Sequence, residues 1–329
     1  MKKIINFIKQ DIWFIISLII IVALFNIKLP YYIDVSGGTI DISNRITTEN
    51  RNNKINGSLN MLYVTEYEAT IPTYLLSYLF KDWKVEKVSD VQVNNEDMEE
   101  IYERNRIMLD NSISNATYVA YTSANKNIEV KDKMSYVIAT TKDNGIKIGD
   151  IITKVNDKEI NSTSEIKEII SNQEVGNTIK LTVKRNNKEK EINVKVSEEK
   201  GQKIIGVVIM TNYKYNLDPE INIKFKKSES GSSGGLMMAL SIYSVIADDD
   251  IVKGRNIAGT GTIDLEGNVG KIDGIKYKLM GAVKNKMDVV LVPEGNYEEA
   301  LEVKKEKNYD IEIVSIKTFN DAIEYLKNK

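Results

Sequence analysis

Asn222-Ile-Lys-Phe225, Ser228-Glu-Ser-Gly-Ser-Ser-Gly-Gly235 and Leu236-Met-Met-Ala-Leu-Ser-Ile-Tyr-Ser-Val-Ile-Ala247 together decide how the C-terminal part of the chain folds. The first four residues alternate as a strand, the glycine-rich run turns, and the rest reads as an amphipathic-to-apolar helix. A serine in such a turn is exposed at a helix N-terminus, where backbone N–H groups can stabilise developing negative charge. Taken alone, a serine there is more often an N-cap, so the turn by itself names no chemistry.

A second segment changes that reading. Ile257-Ala-Gly-Thr-Gly-Thr-Ile-Asp-Leu-Glu-Gly-Asn-Val-Gly-Lys-Ile-Asp-Gly-Ile-Lys-Tyr-Lys-Leu-Met-Gly-Ala-Val283 reads as a strand, a Glu266-Gly267-Asn268 turn, a short strand and a helix from about Gly274. Lys276 and Lys278 fall near that helix's start. A cation there sits beside the positive end of the dipole, which lowers a lysine pKa. The plainer reading is two solvated lysines on a helix face.

Composition sharpens the choice. The 329 residues carry 45 Lys+Arg against 47 Asp+Glu, no His and no Cys, with 42% apolar and 28% charged residues. That length suggests about two folded units plus accessories. Without imidazole or thiol, every Ser–His–Asp or Cys–His mechanism is excluded, as are disulfides, thiolate-held zinc and iron–sulfur clusters. A hydrolase built from this chain needs Lys, Asp, Glu or an N-terminal amine as its base. A net charge of −2 offers no case for nucleic-acid binding. The acids of Glu96–Glu103 read as a helix face, so no metal site is expected. Gly270-Lys271 is followed by Ile272 and lacks the upstream glycine of a P-loop, so no nucleotide cofactor is expected either.

Working outward, Gly37-Gly38 turns into Thr39-Ile-Asp-Ile42, and Asn56-Gly57 is a hairpin signal leading into Leu59–Val64. Pro72 opens a helix over 73–80, and a second helix spans roughly Asn95 to Ser114, with Lys81 to Asn95 a solvated connection. Lys133–Ala139, Thr178–Val183 and Glu191–Val196 read as strands and Ser164–Ile170 as a helix. Within that stretch, Gly145-Ile-Lys-Ile-Gly-Asp-Ile-Ile-Thr-Lys-Val-Asn-Asp157 resembles the PDZ domain over about eighty residues. The resemblance implies a module that binds a peptide terminus or extended segment at a sheet edge.

Gly231-Ser-Ser-Gly-Gly235 and Thr260-Gly261…Asp273-Gly-Ile-Lys-Tyr-Lys278 resemble the proteolytic domain of Lon-type serine proteases. That resemblance implies a Ser–Lys dyad with Ser233 as nucleophile, Lys278 as general base, Thr260 orienting the lysine, and Lys276 a bystander. The Met287–Pro293 strand fits the same pattern. Asp273 replaces the first glycine of the family's pair, and Ser232 stands where Lon commonly has proline.

At the N-terminus, Lys2, Lys3 and Lys9 precede the apolar run Ile12–Phe25, which continues to Leu29 before Pro30. The run reads as a slightly short transmembrane anchor rather than a cleaved signal, since no small-x-small site follows. The lysines predict a cytoplasmic N-terminus, a single-pass placement in the cell membrane and an extracellular catalytic part. With the anchor, nearly the whole chain resembles the PDZ-and-Lon membrane serine proteases of Gram-positive bacteria. The expected fold is α+β: a cytoplasmic tail (1–11), a transmembrane helix (12–30), a segment packing with the catalytic part (31–117), a PDZ domain (118–200) and a Lon-type proteolytic domain (201–329). The expected function is ATP-independent endopeptidase cleavage of extracellular peptides or proteins selected partly by the PDZ domain. The alternative is a catalytically inactive, membrane-tethered PDZ scaffold. Expected partners are the substrate and the membrane, with a homo-oligomer and a monomer equally open.

Overall fold

The computed structural model describes residues 12–43, 45–49, 55–94, 96–140, 144–226 and 229–329. Its first element, α1 (Ile12–Asn26), has 15 residues and buries none of them. At 1.5 Å per residue these described residues cover about 22 Å, short of the ~30 Å of a bilayer core. Lys28 to Pro30 do not extend it. They open a strand, with Lys28 opposite Thr70 and ion-paired to Glu68. Among the described residues no helix is long and apolar enough to cross a membrane. This corrects the expected transmembrane anchor, and with it the single-pass membrane localisation, the extracellular catalytic part, the membrane as partner and the membrane qualifier of the family resemblance. The expected cytoplasmic tail, with Lys2, Lys3 and Lys9, lies outside the described residues.

From there β1 (Lys28–Asp41) pairs antiparallel with β2 (Ser58–Thr70), and β3 (Lys84–Lys87) lines the outer edge of β1. The stretch expected as a solvated connection therefore holds a strand, with Val85 opposite Ile33. Asn56-Gly57 does not make a tight hairpin, because the link between β1 and β2 is long. Gly57 is required there for another reason: its φ is +99°, and a Cβ would stand 2.2 Å from the Arg255 carbonyl oxygen. Helix α2 (Met98–Ser123) starts at an Asp97–Glu100 capping box and runs beyond the expected end at Ser114. Burial of Ala116, Val119, Ala120 and Tyr121 in the main core outweighs the modest propensity of Thr117 and Tyr118.

The middle of the chain forms β4 (Asn127–Thr140), β5 (Ile151–Val155), α3 (Thr163–Ser171), β6 (Thr178–Arg185), β7 (Lys188–Lys195) and β8 (Val207–Asp218). These strands make one sheet in the order β8-β4-β5-β6-β7, with its own core of Val137, Ile152, Ile166, Ile179 and Leu181. Asp150, fully buried, accepts both Arg185 Nε and Arg185 Nη2 at 2.6 Å. That bidentate pair gives the Gly149-Asp150 dipeptide a structural job.

The last part adds α4 (Gly235–Ile246), β9 (Asn256–Gly259), α5 (Ile275–Lys284), β10 (Val289–Pro293), α6 (Tyr297–Lys307), β11 (Glu312–Ile316) and α7 (Phe319–Asn328). A second sheet has the order β11-β10-β9-β2-β1-β3, and β9 runs parallel to both β10 and β2. Strands from both ends of the chain thus share one sheet, and strand alternation divides its side chains between two cores. Met61, Ile257 and Leu291 pack with α4, whereas Leu62, Ala258 and Val290 pack with Ile275 and Leu279 of α5. The helix that follows the serine turn and the helix that carries Lys278 therefore lie on opposite faces of the sheet. The architecture is α+β.

Candidate active site

Ser233 closes the turn that leads into α4, whose N-cap is Gly234. Close approach explains the glycines: a Cβ on Gly234 would stand 2.5 Å from Met61 Sδ, and one on Gly235 2.9 Å from Ile263 N. The turn is held from several sides. Gly231 N donates to Asn105 O of α2 at 3.0 Å, and Ser112 Oγ of α2 donates to Ser232 O at 3.0 Å. The Ser233 carbonyl accepts Gly261 N at 2.7 Å and Thr260 Oγ1 at 3.0 Å. Glu229, just upstream, is ion-paired with Arg45 and also accepts Lys226 N at 2.8 Å. With its main chain pinned this way, Ser233 opens onto a cleft of about 530 Å³ bordered by Ile40, Met61, Tyr63, Arg45 and Glu229.

Thr260 follows directly on β9 and is fully buried. The resemblance assigns it to the lysine, but its hydroxyl donates to the Ser233 carbonyl, and its N–H bonds Leu291 O at 3.1 Å. A hydroxyl that donates to one partner keeps lone pairs for a second.

Lys278 lies in the first turn of α5, after Gly274 in the left-handed conformation, and its N–H bonds Gly274 O at 3.1 Å. It is 4% exposed. Among the described residues it has no ion-pair partner. Burial therefore lowers its pKa from 10.5 to about 8, against the opposing pull of Asp273. Lys276, two residues away, is half-buried and ion-paired with Asp82 at 3.2 Å, so the two lysines have different fates.

Strand β2 relates the two halves of the site. Met61 abuts Gly234 beside the nucleophile, and Val64 Cγ2 would touch a Cβ on Gly274 at the start of the lysine's helix. Those positions are about 10 Å apart along a strand. No hydrogen bond joins Ser233 Oγ to Lys278 Nζ among the described residues; catalytic hydrogen bonds of this kind commonly close only around substrate. The structure thus brings Ser233 and Thr260 into direct contact and puts Lys278 on the helix that packs against the other face of the same sheet. Arg45, Glu229, Asn105 and Ser112 were not legible as site residues, because each contact spans a long sequence separation and carries no motif.

A second concavity, of about 640 Å³, lies between α3 and the start of β8. Ile166, Ile170, Ile205, Val207 and Ile209 line it. Among the described residues β8 pairs within its sheet with β4, and no strand covers its other edge beside α3.

Comparison with known proteins agrees with this division. Residues 126–196 match the PDZ domain. Residues 225–328 match the Lon protease (S16) C-terminal proteolytic domain. A Lon protease of Campylobacter jejuni is 32% identical over 138 residues, which is 40% of this chain and 17% of that protein. Lon protease 2 of Borreliella burgdorferi is 26% identical over 138 residues, with the same shares of 40% and 17%. The chain therefore spans about 17% of the length of these relatives. The PDZ domain of an SdrC-like protein from Listeria monocytogenes is 25% identical, covering 25% of this chain and 92% of that one with a TM-score of 0.23. The Lon-type domain and its relatives support a serine-protease, hence hydrolase, activity.

Proposed function

We propose that the chain is an ATP-independent serine endopeptidase in which Lys278 activates Ser233. Uncharged Lys278 Nζ takes the hydroxyl proton as Ser233 Oγ attacks a peptide carbonyl. The ammonium then protonates the departing amine, and water hydrolyses the acyl-enzyme. The observation that carries this reading is the buried Lys278, without an ion-pair partner among the described residues and with its pKa near 8. At pH 7 about one in ten such amines is neutral, against about one in three thousand at the ordinary value of 10.5.

Thr260 holds the Ser233 main chain and keeps a lone pair for the lysine. Gly235 N and Leu236 N are taken by Ser232 O and Gly261 O, at 3.3 and 3.1 Å. The oxyanion therefore falls to the N–H groups of Ser233 and Gly234, which no loop carbonyl accepts among the described residues.

Substrates are peptides or unfolded proteins, and the groove between α3 and β8 holds an extended segment by strand addition. The parallel pairing of β2 with β9 supports a proteolytic unit assembled from both ends of the chain, with the unit of the β8-β4-β5-β6-β7 sheet set into it. The test is incubation of the purified protein with fluorescein-labelled casein in the absence of nucleotide. Release of labelled peptides by the wild type and not by Ser233→Ala is the expected result. Equal release by both would end the assignment, and binding without release would leave a peptide-binding scaffold.

A further inference from the structure

Helix α2 bonds both sites, from two adjacent stripes of its surface. Asn105 and Ser112, seven residues apart, hold the nucleophile turn through Gly231 N and Ser232 O. Ile107, Asn111 and Ser114, spaced by four and three, face β8. Asn111 Nδ2 donates to Thr211 O at 3.0 Å, Tyr213 N donates to Ser114 Oγ at 3.3 Å, and Asn212 Nδ2 donates to Ile107 O at 3.3 Å.

Backbone groups two residues apart on a strand aim at the same edge. The edge of β8 that α2 occupies at Thr211 and Tyr213 therefore continues into the edge left open at Val207 and Ile209 beside α3. The Thr211 hydroxyl also contacts the hydroxyl of Thr163 at the start of α3, which closes that end of the groove. At the other end, Lys203 Nζ bonds Ser171 O at 2.9 Å. A peptide added to this edge abuts the Asn111–Thr211 bond and cannot pass it.

The seam also holds an unmet polar demand. Asn212 Oδ1 is buried and lacks a hydrogen-bond partner among the described residues. A buried amide oxygen in that state disfavours the arrangement it sits in.

We propose that a peptide in the groove between β8 and α3 raises turnover at Ser233 by seating α2, with Asn111 as the positioning residue on the groove side and Ser112 on the nucleophile side. This rests on the assignments made above for Ser233 and for the groove. Asn111 and Ser112 are consecutive, so a rotation or slide of the helix that resets one bond resets the other. Coupling between sites commonly amounts to a factor of 5 to 150, and for binding it is reciprocal.

The test uses the full chain and two unlinked reagents. The effector probe is an acetylated hexapeptide ending in Val-Val-Val with a free carboxylate, matched to the apolar lining, with binding followed by fluorescence anisotropy of a labelled copy. The substrate is a blocked tetrapeptide fluorogenic amide, which has no terminal carboxylate. The expected result is a kcat raised about fivefold or more by saturating probe at unchanged KM. A peptide boronate on Ser233 should tighten the probe, and saturating probe should tighten the boronate by the same factor. Asn111→Ala, or Ser114→Ala should that variant fail to fold, should bind the probe with stimulation below about twofold.

Ser112→Ala should lower kcat without moving KM, and Ser112→Thr, which keeps the hydroxyl, should restore it. A probe that binds while kcat stays unchanged overturns the coupling alone. A probe that does not bind overturns it together with the role given to the groove, and absence of any hydrolysis overturns it together with the protease reading.

Discussion

Replacing Lys278 by methionine should abolish hydrolysis and stabilise the fold at the same time. Methionine keeps the length and apolar stem of the side chain and removes the ammonium, so the packing among Ile275 and Leu279 survives. The pKa of Lys278 falls from 10.5 to about 8 on folding because burial disfavours the charged form. A difference of that size is worth roughly 3 kcal/mol. Below pH 8 the amine is charged in both states and the whole cost is carried by the native protein. Between about 8 and 10.5 the unfolded chain binds a proton that the folded one does not, so stability contributed at this position rises with pH. Above 10.5 both states are neutral and the penalty has gone.

Urea unfolding of wild type and Lys278→Met at pH 7 should therefore differ by up to about 3 kcal/mol in favour of the variant. The gap should close as the pH approaches 10. A variant less stable than wild type, or a gap indifferent to pH, would mean that the amine is not an uncompensated buried charge, and the argument for its basicity would fail.

Three further outcomes follow from the same geometry. In wild type, kcat/KM should rise with pH to a plateau, half-maximal near the Lys278 value of about 8, because only the neutral amine can accept the serine proton. Lys276→Ala should change kcat/KM by less than about threefold, since that side chain is committed to Asp82 and not to the cleft; the same casein assay measures it. Arg45→Leu removes the cation from Glu229 in a partly buried pair, and should cost about 1–3 kcal/mol of stability, read by thermal unfolding.

How much of this was legible beforehand depended on the range of the physics involved. The serine turn, the strand Met287–Pro293 and the helix after Gly274 are local patterns, and the structure has them with small shifts of boundary. Local periodicity ends helix α2 near Ser114; what extends it further is burial against α4, a contact absent from local propensity. The charged residues of the strand at Lys84–Lys87 mask a pairing fixed by β1. The apolar run at the N-terminus has the local pattern of a membrane span. Among the described residues the helix there spans Ile12–Asn26, and the chain goes into sheet from Lys28, which pairs with Thr70 of β2. At the site, the resemblance to the Lon-type proteolytic domain points to Ser233, Lys278 and Thr260, whereas the bonds made by Asn111, Ser112 and Glu229 are visible only in the fold.

The most direct trial of the whole account is to follow acylation of the nucleophile itself. A serine-directed β-lactone, incubated with the protein across pH 6 to 10 and quenched in acid, leaves an adduct that peptide mass mapping can locate. The account predicts a single adduct on Ser233, forming at a rate half-maximal near pH 8 and lost in Lys278→Met. An adduct on another serine, or one on Ser233 whose rate ignores both pH and the loss of Lys278, would contradict it.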